Sequence, residues 1–229
     1  MARRDTVIAR LAQTVELLGD LADSFVFVGG SVAPLLVTDP GAADARNTKD
    51  VDAVVQVATR GEYHKIEMQL AAVNFHLDPN DNVLCRYKND DLVLDVIPSA
   101  DQVLGFGNKW LKQAPEAPLV YVLNAQKSIN IINAPLFMCT KFIAYKDRGK
   151  HEDKDLEDIV AIVDGRRELM GELRESSIEI REYVALCTGE LLAGDFPEKL
   201  SWYLPQDRAS AEREPLVMQR FGLMRDLSL

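Results

Sequence analysis

The chain has 229 residues, 47% of them hydrophobic, and a formal net charge of −10. Such an acid excess disfavours non-specific binding to long nucleic acid, whose affinity comes mainly from neutralising phosphates. Cys85, Cys139 and Cys187 stand far apart with no CxxC pair, which argues against a disulfide framework or a zinc ribbon and fits a reducing compartment.

With only 13 Gly and 10 Pro, the composition is that of a packed chain holding one large domain, or a catalytic domain with a helical extension. Charges recur every few residues after Met1-Ala2-Arg3-Arg4-Asp5, so no signal peptide is expected. No stretch approaches ~18 uninterrupted apolar residues, so no membrane span is expected either. The expectation is a soluble, cytoplasmic protein.

In chain order, Ile8, Leu11, Val15, Leu18 and Leu21 give residues 3–22 a helical period. A strand at 25–28 and a short helix at about 31–37 follow. Residues 38–48 read as a loop containing Asp39-Pro40-Gly41-Ala42-Ala43-Asp44. A valine-rich strand covers 50–57, and Tyr63, Ile66, Leu70 and Val73 mark a helix over 60–73. Strands at 82–88 and 91–98 form a hairpin turning at Asn89-Asp90. Extended segments near 118–123 and 128–132 supply an edge or a second hairpin. From Pro135 the chain reads helical over 135–147, 153–163, 166–193 and from about 207, punctuated by Gly165, Gly194 and Pro197. Sheet first and helices later predict an α+β fold: a mixed sheet with helices on one face over residues 1–134, then a helical part over 135–229 that completes the active-site cleft.

Chemistry concentrates between residues 25 and 52. The apolar run Phe25-Val26-Phe27-Val28 meets Gly29-Gly30-Ser31, and a strand that breaks at glycines and restarts as a helix offers backbone N–H groups to an anion. Asp50 and Asp52, at i and i+2 of a strand, project from one face about 6–7 Å apart, a spacing suited to a divalent ion or a pair of them. Asp95 lies in the apolar strand Leu92-Val93-Leu94-Asp95-Val96-Ile97-Pro98, on the face of Val93 and Ile97. Alone it reads as a member of a structural ion pair. Beside Asp50 and Asp52 it reads as the third carboxylate of a Mg²⁺ site, with one or two ions, and as a group able to take a proton from an acceptor hydroxyl. Lys141, Lys146, Arg148, Lys150, His151 and Lys154 form a basic cluster that serves a triphosphate, a nucleic-acid end, or only a solvated helix face.

In order, Gly29-Gly30-Ser31, Asp50-Val51-Asp52 and Asp95 resemble the DNA polymerase β-like nucleotidyltransferase superfamily. Lys141-Phe142-Ile143-Ala144-Tyr145-Lys146-Asp147-Arg148 and Lys154-Asp155-Leu156-Glu157-Asp158-Ile159 resemble the helical motif of its AbiEii-like branch, which includes nucleotidyltransferase toxins of type IV toxin–antitoxin systems. The likeness covers roughly residues 20–165. It implies that Gly29, Gly30 and Ser31 bind the triphosphate of an NTP. It also implies that Asp50, Asp52 and Asp95 bind metal and drive transfer, and that Lys141, with Arg148 or Lys154, neutralises the phosphates. Arg46 and Thr48 match a basic and a hydroxyl position before the aspartate pair, while Asp155 and Asp158 read as helix ion pairs ahead of catalytic groups. The nineteen residues between Gly30 and Asp50 exceed the usual gap and read as an inserted loop.

The implied reaction moves an NMP from an NTP onto an acceptor hydroxyl of tRNA or protein, with a cognate antitoxin as partner. Rival readings are a small-molecule, antibiotic-type nucleotidyltransferase and a non-catalytic antitoxin or binding module. The chain shows neither a G-x-G-x-x-G fingerprint nor a Walker A loop. Arg148 and His151 are too close for an R-x4-6-H nuclease motif, and His64 and His76 read as surface histidines.

Overall fold

A computed structural model describes residues 3–42, 46–78, 81–148, 153–204 and 208–228. In chain order the elements are α1 (Arg3–Leu18), β1 (Phe25–Val28), α2 (Ala33–Leu36), β2 (Asp50–Val55), α3 (Arg60–Ala72), β3 (His76–Leu77), β4 (Arg86–Asn89), β5 (Leu92–Pro98) and α4 (Lys109–Gln113). These are followed by β6 (Leu119–Asn124), β7 (Lys127–Ile131), α5 (Ala134–Arg148), α6 (Lys154–Gly165), α7 (Leu169–Glu175), α8 (Ile178–Ala193), α9 (Phe196–Lys199) and α10 (Arg208–Arg225). They make an α+β protein of two units. One unit holds residues 1–32 and 47–133, and the other holds 33–46 and 134–229. The segment between the glycine turn and the aspartate strand thus belongs with the helices.

The sheet unit carries seven strands in the order β3-β4-β5-β2-β1-β7-β6. It is mixed: β2 runs parallel to β5 and β1 parallel to β7, whereas β1–β2, β3–β4, β4–β5 and β6–β7 are antiparallel. All four residues of β1 are buried, which fits a central strand whose sequence, FVFV, is apolar on both faces. In β5 Leu92, Leu94, Val96 and Pro98 are buried on one face, whereas on the other Val93 and Ile97 are half-buried and Asp95 between them is buried. The buried face meets α3, where the Tyr63 hydroxyl donates to the Val96 carbonyl at 2.7 Å. Thr59 and Glu62 close a capping box at the start of α3, two reciprocal hydrogen bonds that fix where this helix begins.

Local chemistry moves several expected boundaries. The first helix stops at Leu18 because Gly19 takes a φ of +56°, and the chain continues as a 3-10 segment, Gly19–Ser24. The hairpin turns at Asp90-Asp91, with Asn89 opposite Leu92, so the expected Asn89-Asp90 turn is one residue early. Asp90 accepts the left-handed φ of +49°, which aspartate tolerates. The strand expected from 82 starts only at Arg86, because the Asp81 carboxylate accepts the Val83 N–H at 3.1 Å and curls the chain there. The β6–β7 hairpin matches the two expected extended segments. Its parallel join to β1 comes from tertiary pairing that no local pattern announces.

The helical unit is built from α2 and α5–α10. The helix expected over 166–193 is two helices, since the Ser176 N–H bonds to the Leu173 carbonyl and the Ser177 hydroxyl accepts the Ile180 N–H at 3.4 Å as the cap of α8. The loop read as an insertion at 38–48 is tied into this unit: the Thr38 and Asp39 N–H groups donate to the Gly165 carbonyl at 2.9 and 2.8 Å. Its residues Ala43 and Asp44 lie outside the described residues, as do Lys150 and His151 of the basic cluster. Among the described residues, no helix is long and apolar enough to cross a membrane.

Candidate functional site

The sheet unit brings the glycine turn and the aspartates together. The parallel register of β2 and β5 places Asp52 opposite Asp95 and Asp50 opposite Val93. Asp50 and Asp52 therefore share one face of the sheet with Asp95, while Val51 and Ala53 are buried on the other. Asp95 itself is buried and Asp50 is half-exposed at the head of its strand. The glycine turn arrives through β1, whose last residue, Val28, pairs with Asp52.

Gly29 is demanded twice over. Its φ is +68°, a conformation that costs L-residues roughly 1–2 kcal/mol. A Cβ built there would lie 2.0 Å from Asp52 Oδ2. The turn is thus pressed directly against the carboxylate. It is a single 3-10 turn, Gly29–Ser31, and the short helix expected from about residue 31 follows it at Ala33–Leu36. The Ser31 hydroxyl is buried and donates to the Val28 carbonyl at 3.1 Å. That hydrogen bond ties the Ser31 side chain to the turn itself, and an anion placed at the turn would meet its backbone N–H groups first.

Three further residues shape the site. The buried Thr48 hydroxyl donates to Asp50 Oδ1 at 2.5 Å, and the Arg10 guanidinium of α1 donates to the Thr48 carbonyl at 2.6 Å. A chain of contacts from α1 thereby sets the orientation of Asp50. Arg86 of β4, opposite Asp95, grips both its oxygens, with Nε to Oδ1 at 2.8 Å and Nη2 to Oδ2 at 2.7 Å. Nη2 also stands 3.6 Å from Asp50 Oδ2, and Nη1 3.7 Å from Asp81. These hydrogen bonds to Asp95 raise the already high pKa of the guanidinium, so Arg86 stays charged. Beside it, burial and then the charge of Asp95 push the Cys85 thiol up to about 12, so it is not a nucleophile at neutral pH.

Arg86 is the site residue that sequence reasoning missed, and the reason is geometric. A two-residue turn at Asn89-Asp90 would put Leu84 opposite Asp95, whereas the observed turn at Asp90-Asp91 puts Arg86 there. Among the described residues, no three His, Cys, Asp or Glu side chains are arranged to hold one ion. The Arg86 guanidinium occupies Asp95 and reaches toward Asp50. Mg²⁺ is typically held by one or two carboxylates together with water and substrate phosphates. The pair Asp50 and Asp52, with the close-packed Gly29 turn alongside, fits that demand, and Asp95 fits it once Arg86 releases a carboxylate oxygen.

The helical unit holds the other residues named from sequence. Lys141 of α5 is buried, with Nζ 2.6 Å from Asp158 Oδ2 and 3.2 Å from Asp155 Oδ1 on α6. Arg148 Nη1 meets Asp155 Oδ2 at 2.6 Å, and Arg46 Nε meets Asp158 Oδ1 at 3.0 Å. Both aspartates are almost fully buried and each is ion-paired to two cations, and the five residues join α5, α6 and the 33–46 segment. Asp155 and Asp158 are thus ion-paired, as one of the two readings had it. Lys154 opens α6 half-exposed. A phosphate role for Lys141 or Arg148 requires the phosphate to displace these carboxylates.

No protein-family profile and no curated protein matches this chain. Solved structures do. A candidate nucleotidyltransferase from H. pylori is 13% identical over 97% of this chain and 95% of its own, with a TM-score of 0.50. JHP933 from Helicobacter pylori is 14% identical over 97% and 93%, at 0.46. An antigenic nucleotidyltransferase-like protein from Paracoccidioides brasiliensis is 19% identical over 83% and 90%, at 0.48. At these identities the likeness is one of fold: the chain has an α+β, nucleotidyltransferase-like fold.

Proposed function

We propose that the chain is a Mg²⁺-dependent nucleotidyltransferase that moves the NMP of an NTP onto an acceptor hydroxyl. The observation that carries this reading is the contact of the Gly29 turn with Asp52, beside Asp50 and in register with Asp95. An anion-binding turn and a carboxylate pair meet at one point, and the shared fold supports the class of chemistry.

Asp50 and Asp52 hold the ion, and Thr48 with Arg10 keeps Asp50 in position. Bound there, Mg²⁺ supplies neutralisation of the phosphate oxygens and a fixed orientation for in-line displacement. Backbone N–H groups of the Gly29–Ser31 turn hold the β- and γ-phosphates. The acceptor oxygen bonds to the α-phosphorus, the bond from that phosphorus to the bridging oxygen breaks, and pyrophosphate leaves. The acceptor proton passes to Asp95, whose partner Arg86 then balances the charge of the leaving group. The motif from Lys141 to Ile159 supports placing the chain in the toxin branch, with a tRNA 3′ end or a protein hydroxyl as acceptor and an antitoxin as partner.

Purified protein is incubated with each α-labelled NTP, Mg²⁺, and bulk tRNA or extract protein. Label on one macromolecular fraction that vanishes in Asp50→Asn sustains the reading. Label on a small molecule would reassign the acceptor. No labelled product from any NTP, with the protein folded, overturns it.

A further inference from the structure

The two edges of the seven-stranded sheet differ in kind. At one end β3 has two residues, and next to it Lys88 Nζ pairs with Asp78 at 2.8 Å and Asp81 at 3.3 Å. A very short edge flanked by charge discourages an added strand. At the other end β6 has six residues and, among the described residues, pairs with β7 on one side only. Its sequence, LVYVLN, contains no charge, no proline and no glycine. Val120 and Val122 are 66% and 68% exposed, and Leu119, Tyr121 and Leu123 are half-buried. In a lone copy such an edge is a template for strand addition.

The strand itself indicates what covers it. Leu119-Val120-Tyr121-Val122-Leu123 reads identically in both directions. Laid antiparallel against a second copy of itself, it sets Val120 opposite Val122, Leu119 opposite Leu123 and Tyr121 opposite Tyr121. Two valine pairs then form on the exposed face, and on the other a tyrosine pair is flanked by leucines, the β-branched and aromatic cross-strand pairs that stabilise sheets. Leu123 is skipped in the pairing of β6 with β7, so regular self-pairing centres on Val120–Val122. A chain of net charge −10 also meets its copy with least repulsion along a charge-free strip.

We propose that the protein forms a two-fold dimer in which β6 pairs with β6 of a second copy about an axis at Tyr121, fusing two seven-stranded sheets into one. The same patch serves both copies and the β3 edge is blunted, so assembly closes at two. A six-residue strand addition belongs with the small interfaces, so the dimer is reversible and dependent on concentration.

Sedimentation of the full chain across a concentration series should show a monomer–dimer equilibrium. Val120→Lys/Val122→Lys should weaken it at least about tenfold by setting like charges across the axis, with an unchanged thermal midpoint because both positions are exposed. Under mild oxidation Tyr121→Cys should give a disulfide-linked dimer, since facing strand residues lie within disulfide reach. Val120→Cys should not, because each copy's residue 120 faces residue 122. A wild-type monomer at every concentration, a dimer indifferent to the lysines, or equal crosslinking at 120 and 121 overturns the proposal.

Discussion

Two groups of charged residues in this protein look alike on paper and differ in physical situation. In the sheet unit, Asp50 stands half-exposed at the end of its strand, and the buried Asp95 is held beside it by an Arg86 that is itself partly open to solvent. In the helical unit, Lys141, Asp155 and Asp158 are buried and satisfy one another, with Arg46 and Arg148 closing the remaining valences. Charge that faces solvent can be exchanged for a ligand. Charge that has lost its water is held by its partners, and removing one partner leaves the other stranded. A charged motif therefore reports on function only together with its burial.

Five variants would break or sharpen that contrast. Lys141→Met has the largest expected cost, about 3–5 kcal/mol of stability, because Asp158 and Asp155 lose a buried cation. Chemical denaturation would measure it, and Lys141→Met/Asp158→Leu should recover part of the loss. An unchanged denaturation midpoint in Lys141→Met would place the lysine in solvent and the contrast would fail. Asp50→Asn should do the opposite, lowering nucleotidyl transfer about 10²–10³-fold with little change in stability. Labelled-NTP turnover beside a melting curve checks both halves. Gly29→Ala combines the two effects, with roughly 1–2 kcal/mol from the left-handed backbone and a loss of turnover from displacement of the Asp52 carboxylate. A crystal structure of that variant should show Asp52 swung away.

The smallest effect concerns acid. The Gly41 N–H, then the guanidinium groups of Arg167 and Arg213, hold the Asp39 pKa down from 3.8 to about 2. Because the folded value lies below the unfolded one, the stabilisation is complete above pH 3.8 and disappears as the pH falls through about 2. Asp39→Asn should cost about 1–2 kcal/mol at neutral pH and flatten the acid limb of a stability-against-pH curve. Parallel curves for the two proteins between pH 4 and pH 2 would refute the assignment.

The sequence made the sheet unit readable wherever one period ruled. Valine content marked β2, β5 showed its two faces, and the glycines before Asp50-Val51-Asp52 pointed to the place where β1 meets β2. Register across strands was harder to read. A one-residue error in the β4–β5 turn hid Arg86, because hairpin register follows from turn geometry and Asp90 outcompeted Asn89 for the left-handed position. The helical unit was legible as helices and illegible as a network. Helical spacing put Asp155 and Asp158 near each other, but nothing local says that a lysine fourteen residues before Asp155 inserts between them or that Arg46 joins from another segment.

The chain order between Val32 and Asn47 has a consequence for dissecting this molecule. After the glycine turn the chain leaves the sheet unit, contributes α2 and its following segment to the helical unit, and returns in time for Thr48 to orient Asp50. Truncation after Asn133 would leave Leu35, Leu36 and Val37, all buried in the intact chain, with their covering helices gone. The sheet unit is consequently not a separable cassette. A working minimal version would need the 33–46 excursion replaced by a short polar bridge. The length of that bridge would then become a tether controlling how freely the glycine turn packs against Asp52.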